Sequence, residues 1–256
     1  MENEQENDIA LVPGIGADPA AEIEKFIPED IRGLYEVHSY KHASAISFNS
    51  YPKEINEIFD ALRAFRLTTD DIMKPGGNES DIPKRISSLL RPNKWFETRI
   101  RGDLLITLEV YKDGNIEGPG KKSKKKIIEQ HQIKRDNYLD GHKVDYVKNN
   151  VAFDLEWNSK DQTFDRDLYA FRAFSECGLV GVGVLLTRSA SLNEVFSKLG
   201  VKNKYGASTT WMGKLLYRLN AGRHGGCPVL VFGITPKLIT DWEGHEKNHS
   251  STTIVT

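Results

Sequence analysis

Three acidic residues close together, Asp145, Asp154 and Glu156, are the part of this chain best suited to chemistry. They lie in the segment Lys143-Val-Asp-Tyr-Val-Lys-Asn-Asn-Val-Ala-Phe-Asp-Leu-Glu-Trp157. Asn149-Asn150 is a turn pair, because Asn tolerates positive φ. Folding there sets Lys148 opposite Val151, Val147 opposite Ala152, Tyr146 opposite Phe153, and Asp145 opposite Asp154. Side chains alternate along a strand. Val151, Phe153, Leu155 and Trp157 then form an apolar face. Ala152, Asp154, Glu156 and Asn158 form the other, and Asp145 joins it. Opposed Cβ atoms in a sheet lie about 5 Å apart, and like charges there are destabilising. A bound divalent cation offsets that repulsion. All the candidate donors are oxygens, which selects a hard ion such as Mg²⁺. Beside a phosphodiester, such an ion neutralises developing charge and makes a bound water a better nucleophile. The plain alternative is a solvated acidic hairpin whose carboxylates face water.

The residues that follow widen the site. Asn158, Ser159 and Lys160 stand just past the acids, and their amide, hydroxyl and ammonium groups suit phosphates or base edges. Arg188 and Ser189 close an apolar strand, where an arginine can form a bidentate contact to guanine. An ordinary surface salt bridge is the competing account of Arg188. Lys204-Tyr-Gly-Ala-Ser-Thr-Thr210 is rich in hydroxyls before a helix start, so Tyr205 and Ser208 are further DNA-binding candidates, against a simple capping loop. His38 and His42 share a four-residue spacing, but a pair without a third ligand is more often surface or core.

These residues need a scaffold of alternating elements. The pattern gives strands over 143–147, 151–157, 179–187 and 228–234, with helices over 165–177, 191–199 and 209–219. That is an α/β class with a mixed sheet flanked by helices. Upstream, 34–39 reads as a strand. A helix begins at Tyr51–Pro52, with Ile55, Ile58, Phe59, Leu62 and Phe65 on one face. Residues 68–77 read as a loop, and Ser80 as the cap of a helix carrying Ile82, Ile86, Leu89 and Leu90. Residues 95–100 and 104–111 read as two separate strands. The stretch 113–135, with Gly-Pro-Gly and Lys-Lys-Ser-Lys-Lys-Lys, reads as a mobile basic loop able to meet phosphates. The domain plan is a flexible arm at 1–21, one domain at 22–240 carrying that loop, and a flexible tail at 241–256.

Composition sets the outer bounds. Hydrophobic residues make up 39 %, enough for a core, and the formal net charge is −1, so a nucleic-acid surface must be local. Cys177 and Cys227 are far apart, which argues against a cysteine zinc site or a disulfide scaffold and fits a cytoplasmic protein. Nothing resembles a signal peptide or a membrane helix.

The chain resembles the BglII/BstYI-like type II restriction endonucleases. The resemblance rests on Tyr40–Ala45 (YKHASA), Lys74–Asn78 (KPGGN), the stretch from Val144 to Arg172, and Leu185–Ser189 (LLTRS), and spans roughly Leu34 to Ile234. It implies the PD-(D/E)xK nuclease core, a restriction-endonuclease-like fold used as a DNA-cleaving homodimer. In that pattern Asp145 is the lone metal-binding aspartate and Asp154 the first acid of the paired motif. Glu156 falls where most of the superfamily has lysine. Asp154 stands where Glu is expected, one methylene shorter. The resemblance implies Mg²⁺-dependent cleavage of double-stranded DNA at a palindromic site with a GATC core, leaving 5′-phosphates. A structure-directed nuclease on the same core, or a binding module that does not cut, are the rival readings.

Overall fold

A computed structural model describes residues 9–74, 81–112 and 125–242. The elements run α1 (Ala20–Phe26), α2 (Glu29–Leu34), β1 (Tyr35–Tyr40), α3 (Ala43–Ser50), α4 (Pro52–Ala64), α5 (Thr69–Met73), α6 (Asp81–Leu90), β2 (Phe96–Lys112), β3 (Lys126–Lys148), β4 (Val151–Glu156), α7 (Thr163–Glu176), β5 (Val182–Arg188), α8 (Leu192–Lys198), α9 (Met212–Asn220) and β6 (Val229–Ile234). The strands form one mixed sheet in the order β1-β6-β5-β4-β3-β2. β4, β5 and β6 are parallel, while β1 and β3 run antiparallel to their neighbours. This is the α/β class read from the sequence.

The three parallel strands are buried along their whole length. Helices must therefore cover both faces, as parallel sheets require. Phe153, Leu155, Val184, Leu186, Leu230 and Phe232 join the core of α4 and α6, which supply Ile55, Ile58, Phe59, Leu62, Ile82 and Ile86. α7 packs on the opposite side, against β4, β5 and α9. Gly183 allows that close approach. A Cβ there would lie 2.3 Å from Phe171 of α7, which is fully buried.

The hairpin follows the expected register, with Tyr146 opposite Phe153, Val147 opposite Ala152 and Lys148 opposite Val151. Asn149 and Asn150 take φ of 44° and 66°, the positive values the turn needs. Asn149 is anchored to Glu54 at 2.7 Å, and Lys148 to Glu57 at 2.5 Å.

Several local readings are corrected. Residues 69–73 are a helix, because Thr68 and Asp71 form a reciprocal capping box. Residues 96–112 are one strand and not two. Gly102 sits within it because a Cβ there would press on Leu139 of β3, at 3.1 Å. β3 begins at Lys126, so residues 126–135 of the expected basic loop are strand. Alternating Ile, Gln, His and Lys can pair along a ladder even where lysines discourage compaction. The loop residues 113–124 lie outside the described residues, as do Ser80 and most of the KPGGN motif. The same holds for 1–8 and 243–256. Residues 9–18 of the expected arm are tied down: Ala10 N–H bonds Gly213 O at 2.9 Å, and Ala17 bridges Tyr40.

The chain divides into two compact units, Met1–Thr98 with Val144–Thr256, and Arg99–Lys143. The second is a ribbon of β2 and β3 that exposes Leu105, Leu108, Ile128 and Ile133. All the candidate site residues lie in the first.

Gly183→Val should destabilise the protein by about 1–3 kcal/mol through overpacking against Phe171. Urea unfolding checks this, and an unchanged midpoint would show that α7 has room to move.

Candidate active site

Asp145 and Asp154 meet at the open end of the hairpin, as the register implies. The Asp145 N–H donates to Asp154 Oδ1 at 2.7 Å, and the Leu155 N–H donates to Asp145 Oδ2 at 3.1 Å. The Asp154 carboxylate thus fixes the backbone of Asp145, and the Asp145 carboxylate that of Leu155. Glu156 shares the face of Asp154 one pleat further on. Asp154 and Glu156 are only 4 % and 6 % exposed, which rules out a solvated hairpin. Asp145 keeps one side open to solvent.

A fourth acid joins them from α7. Asp167 is 1 % exposed, and its charge is the largest electrostatic influence on both Asp154 and Glu156. Sequence reading passed over it, because an aspartate in a charged helical start looks like a solvated residue. Its spacing in the apolar set Phe164, Leu168, Phe171 was the available signal: Asp167 shares their buried face. Arg166 accompanies it, with Nη2 3.1 Å from Asp167 Oδ1 and 3.6 Å from Glu156 Oε1.

Burial and this crowding raise the pKa of every one of the three predicted acids. Burial is the largest cause for Asp154, followed by the charges of Asp167 and Asp145. Burial and Asp167 push Glu156 up to about 8, against hydrogen bonds from Ser159 and Thr163. Asp145 is raised by burial despite the Leu155 N–H. Asp154 Oδ2 and Glu156 Oε2 are buried without a hydrogen-bond partner. Such oxygens are costly unless a cation or a proton satisfies them. An all-oxygen set with two unsatisfied carboxylates fits a hard divalent ion. The three predicted acids do not bring three oxygens within 4.8 Å of one another, so such an ion would also keep waters. Among the described residues that closeness is met by Asp18, Glu22 and His42, whose atoms are already engaged. His42 Nδ1 lies 2.9 Å from Glu22 Oε2, while Asp18 accepts from Ser39 Oγ and the His42 N–H.

Two loops border the acids and are stitched together. Thr210 N–H bonds Ser159 O at 2.9 Å, Asp161 N–H bonds Ser208 O at 3.1 Å, and Lys160 bridges Thr209. Ser159, Lys160 and Ser208 are exposed there. Asn158 is half-buried, its amide donating to Lys204 O at 3.3 Å and its Oδ1 lacking a partner.

The other three DNA-contact candidates have internal partners. Arg188 is 1 % exposed. Its Nε donates to Thr210 O at 3.0 Å and its Nη2 to Thr209 Oγ1 at 2.6 Å. The guanidinium stands 5.0–5.9 Å from the rings of Tyr205, Phe196 and Trp157. Burial lowers its pKa to about 10, still well above neutrality. Arg188 is the last residue of β5, at the strand end as the sequence suggests, but its side chain turns into the aromatic face. Tyr205 is also buried, stacked on Phe196 at 4.1 Å with its hydroxyl on Ile72 O. Ser189 is buried and accepts from Ser191.

A family model described as restriction endonuclease BglII/BglIII matches residues 35–234 of the 256. The chain belongs to this family. It is accordingly a type II restriction endonuclease, a hydrolase that cleaves DNA, and its α/β fold suits a restriction-endonuclease-like core. A search of curated proteins found no match. The matched span begins with β1 and ends with β6, so it contains the acidic hairpin, α7 and both bordering loops. Among the described residues, no helix is long and apolar enough to cross a membrane.

The raised pKa of Glu156 predicts a pH effect on the metal-free endonuclease. Between about pH 4.5 and 8 the folded state holds a proton that the unfolded chain has released, so stability falls as pH rises through this window. A divalent ion that takes the proton's place should flatten the fall. Melting temperatures across that range, in EDTA and in Mg²⁺, test this. Coincident flat curves would contradict a strained acidic centre.

Proposed function

We propose that this endonuclease hydrolyses one phosphodiester per strand of double-stranded DNA at a short palindromic site with a GATC core, as a homodimer, leaving 5′-phosphate ends. The observation that supports the reading best is the pair Asp145–Asp154, joined by the Asp145 N–H donating to the buried Asp154 carboxylate, with Glu156 and its unsatisfied oxygen beside it. In this proposal Asp145 and Asp154 hold Mg²⁺, which would supply positive charge for the phosphorane-like transition state and a more acidic water. Glu156, beside the two aspartates, is placed to accept a proton from the attacking water once a bound cation has displaced its own. The Asp145 and Leu155 N–H groups keep the two aspartates oriented. Dimer symmetry would match the symmetry of the palindrome. Free Cys177 and Cys227 agree with work in the reducing cytoplasm.

The stitched loops supply the surface for DNA. Ser159, Lys160 and Ser208 are exposed, and half-buried Asn158 stands beside them, so these four are proposed to meet phosphates and base edges. Arg188, Ser189 and Tyr205 are proposed to act from beneath, holding that loop pair in shape. A contact between Arg188 and DNA would first have to break its bonds to Thr209 and Thr210.

Digestion of unmethylated plasmid with Mg²⁺ or with EDTA, followed by end sequencing, tests the activity. Discrete Mg²⁺-dependent fragments with a common end are expected, and smearing without a shared sequence would point to a structure-directed nuclease. Asp145→Asn and Asp154→Asn should each stop cleavage while specific binding persists, measured by mobility shift in Ca²⁺. Full cleavage by either variant would remove that residue from the mechanism. Lys160→Ala should weaken binding on all sequences alike and reduce the salt slope by about 1 if the lysine meets a phosphate. A loss confined to the cognate site would instead mark a base contact.

A further inference from the structure

We propose that Arg166 is a built-in competitor for the metal: in the metal-free protein its guanidinium neutralises the acidic centre, and a divalent cation must displace its charge to bind. The inference rests on the assignment of Asp145, Asp154 and Glu156 as the metal-holding acids.

Four carboxylates converge here, and Arg166 is a cation that the structure brings against two of them. Its Nε and Nη2 reach Asp167 Oδ1 at 3.2 and 3.1 Å, and Nη2 stands 3.6 Å from Glu156 Oε1. The direction of the side chain calls for an explanation. Arg166 lies near the start of α7, where the helix dipole disfavours a positive charge. Its side chain is 56 % exposed, so water was available to it. It nevertheless folds back over its own neighbour toward the acids. The attraction of the buried carboxylates accounts for this. Burial works against the guanidinium charge, yet Asp167, Glu156 and Asp154 hold its pKa above the usual value.

Arg166 covers the centre incompletely. Asp154 Oδ2 and Glu156 Oε2 still lack partners, so a smaller and more highly charged ion has oxygens left to gain. Because the arginine is half-exposed on a long flexible stem, it can withdraw into solvent without disturbing α7. Its N–H donors are then free for another anion, and the DNA backbone is the anion this enzyme meets. Binding of substrate and metal would in this way favour each other, which keeps the centre quiet until both are present.

Titration of the purified enzyme with Mn²⁺, following free Mn²⁺ by electron paramagnetic resonance without DNA, tests the proposal. Arg166→Gln should bind Mn²⁺ about three- to tenfold more tightly than the parent, since one nearby opposing charge is removed and partly screened. Arg166→Lys, which keeps the charge, should stay near the parent. Adding Asp154→Asn to Arg166→Gln should abolish the gain, which locates the ion at this centre and not at Asp18, Glu22 and His42. Equal or weaker binding by Arg166→Gln, binding detectable in neither protein, or a gain that survives Asp154→Asn would each overturn it. The readout needs no cleavage, so failure of the nuclease reading would show separately in the plasmid digestion.

Discussion

Mutual repulsion among buried carboxylates is the constraint around which this molecule is arranged. Asp154, Glu156 and Asp167 are nearly inaccessible, and Asp145 closes the set from the neighbouring strand. No hydrophobic gain favours such a group, and charge burial opposes it. It persists because the surroundings over-determine it. β4 is locked between β3 and β5, the hairpin turn is set by two asparagines at positive φ, and α7 is seated on the sheet through Gly183 and Phe171. Those features stabilise the fold enough to hold four acids in place. The acids in turn are a reservoir of unfavourable charge that a divalent cation would relieve.

The same logic explains where the polar residues around the acids fall. The two bordering loops are joined through backbone atoms, leaving the Ser159, Lys160 and Ser208 side chains outside. Their rigidity comes from below. Arg188 fills an aromatic enclosure and donates to Thr209 and Thr210, so a buried charge serves as a strut. A guanidinium tolerates this role because it is weakly hydrated, planar and able to lie against rings while bonding at its edge. Charged side chains on the surface of the site and charged side chains beneath it thus do different work, although their residue types are the same.

Much of the site was legible in the sequence. Period-two alternation in Val151–Trp157 and the Asn-Asn turn determine the register, and register alone brings Asp145 to Asp154. The element order from Lys143 to Ile234 was equally readable, because helix and strand periods differ clearly there. The capping box Thr68–Asp71 was also written in the chain, but a short helix among turn-forming residues is easily read as loop. The long strands β2 and β3 were harder. Gly102 and the basic residues Lys126, Lys134 and Arg135 look like parts of loops on local grounds, and only the pairing of one strand with the other overrides that.

The sequence by itself determined the fold class, the acidic hairpin and the chemistry those oxygens favour, since each rests on neighbours along the chain. Tertiary structure alone decided which charges are buried. Asp167 enters the centre because α7 lies over β4 and β5, and Arg188 leaves the surface because Trp157, Phe196 and Tyr205 converge on it. Both depend on contacts between residues far apart in the chain. Burial is a property of such contacts, and it raises the pKa of Asp154 and Glu156 and sets the reach of Arg188.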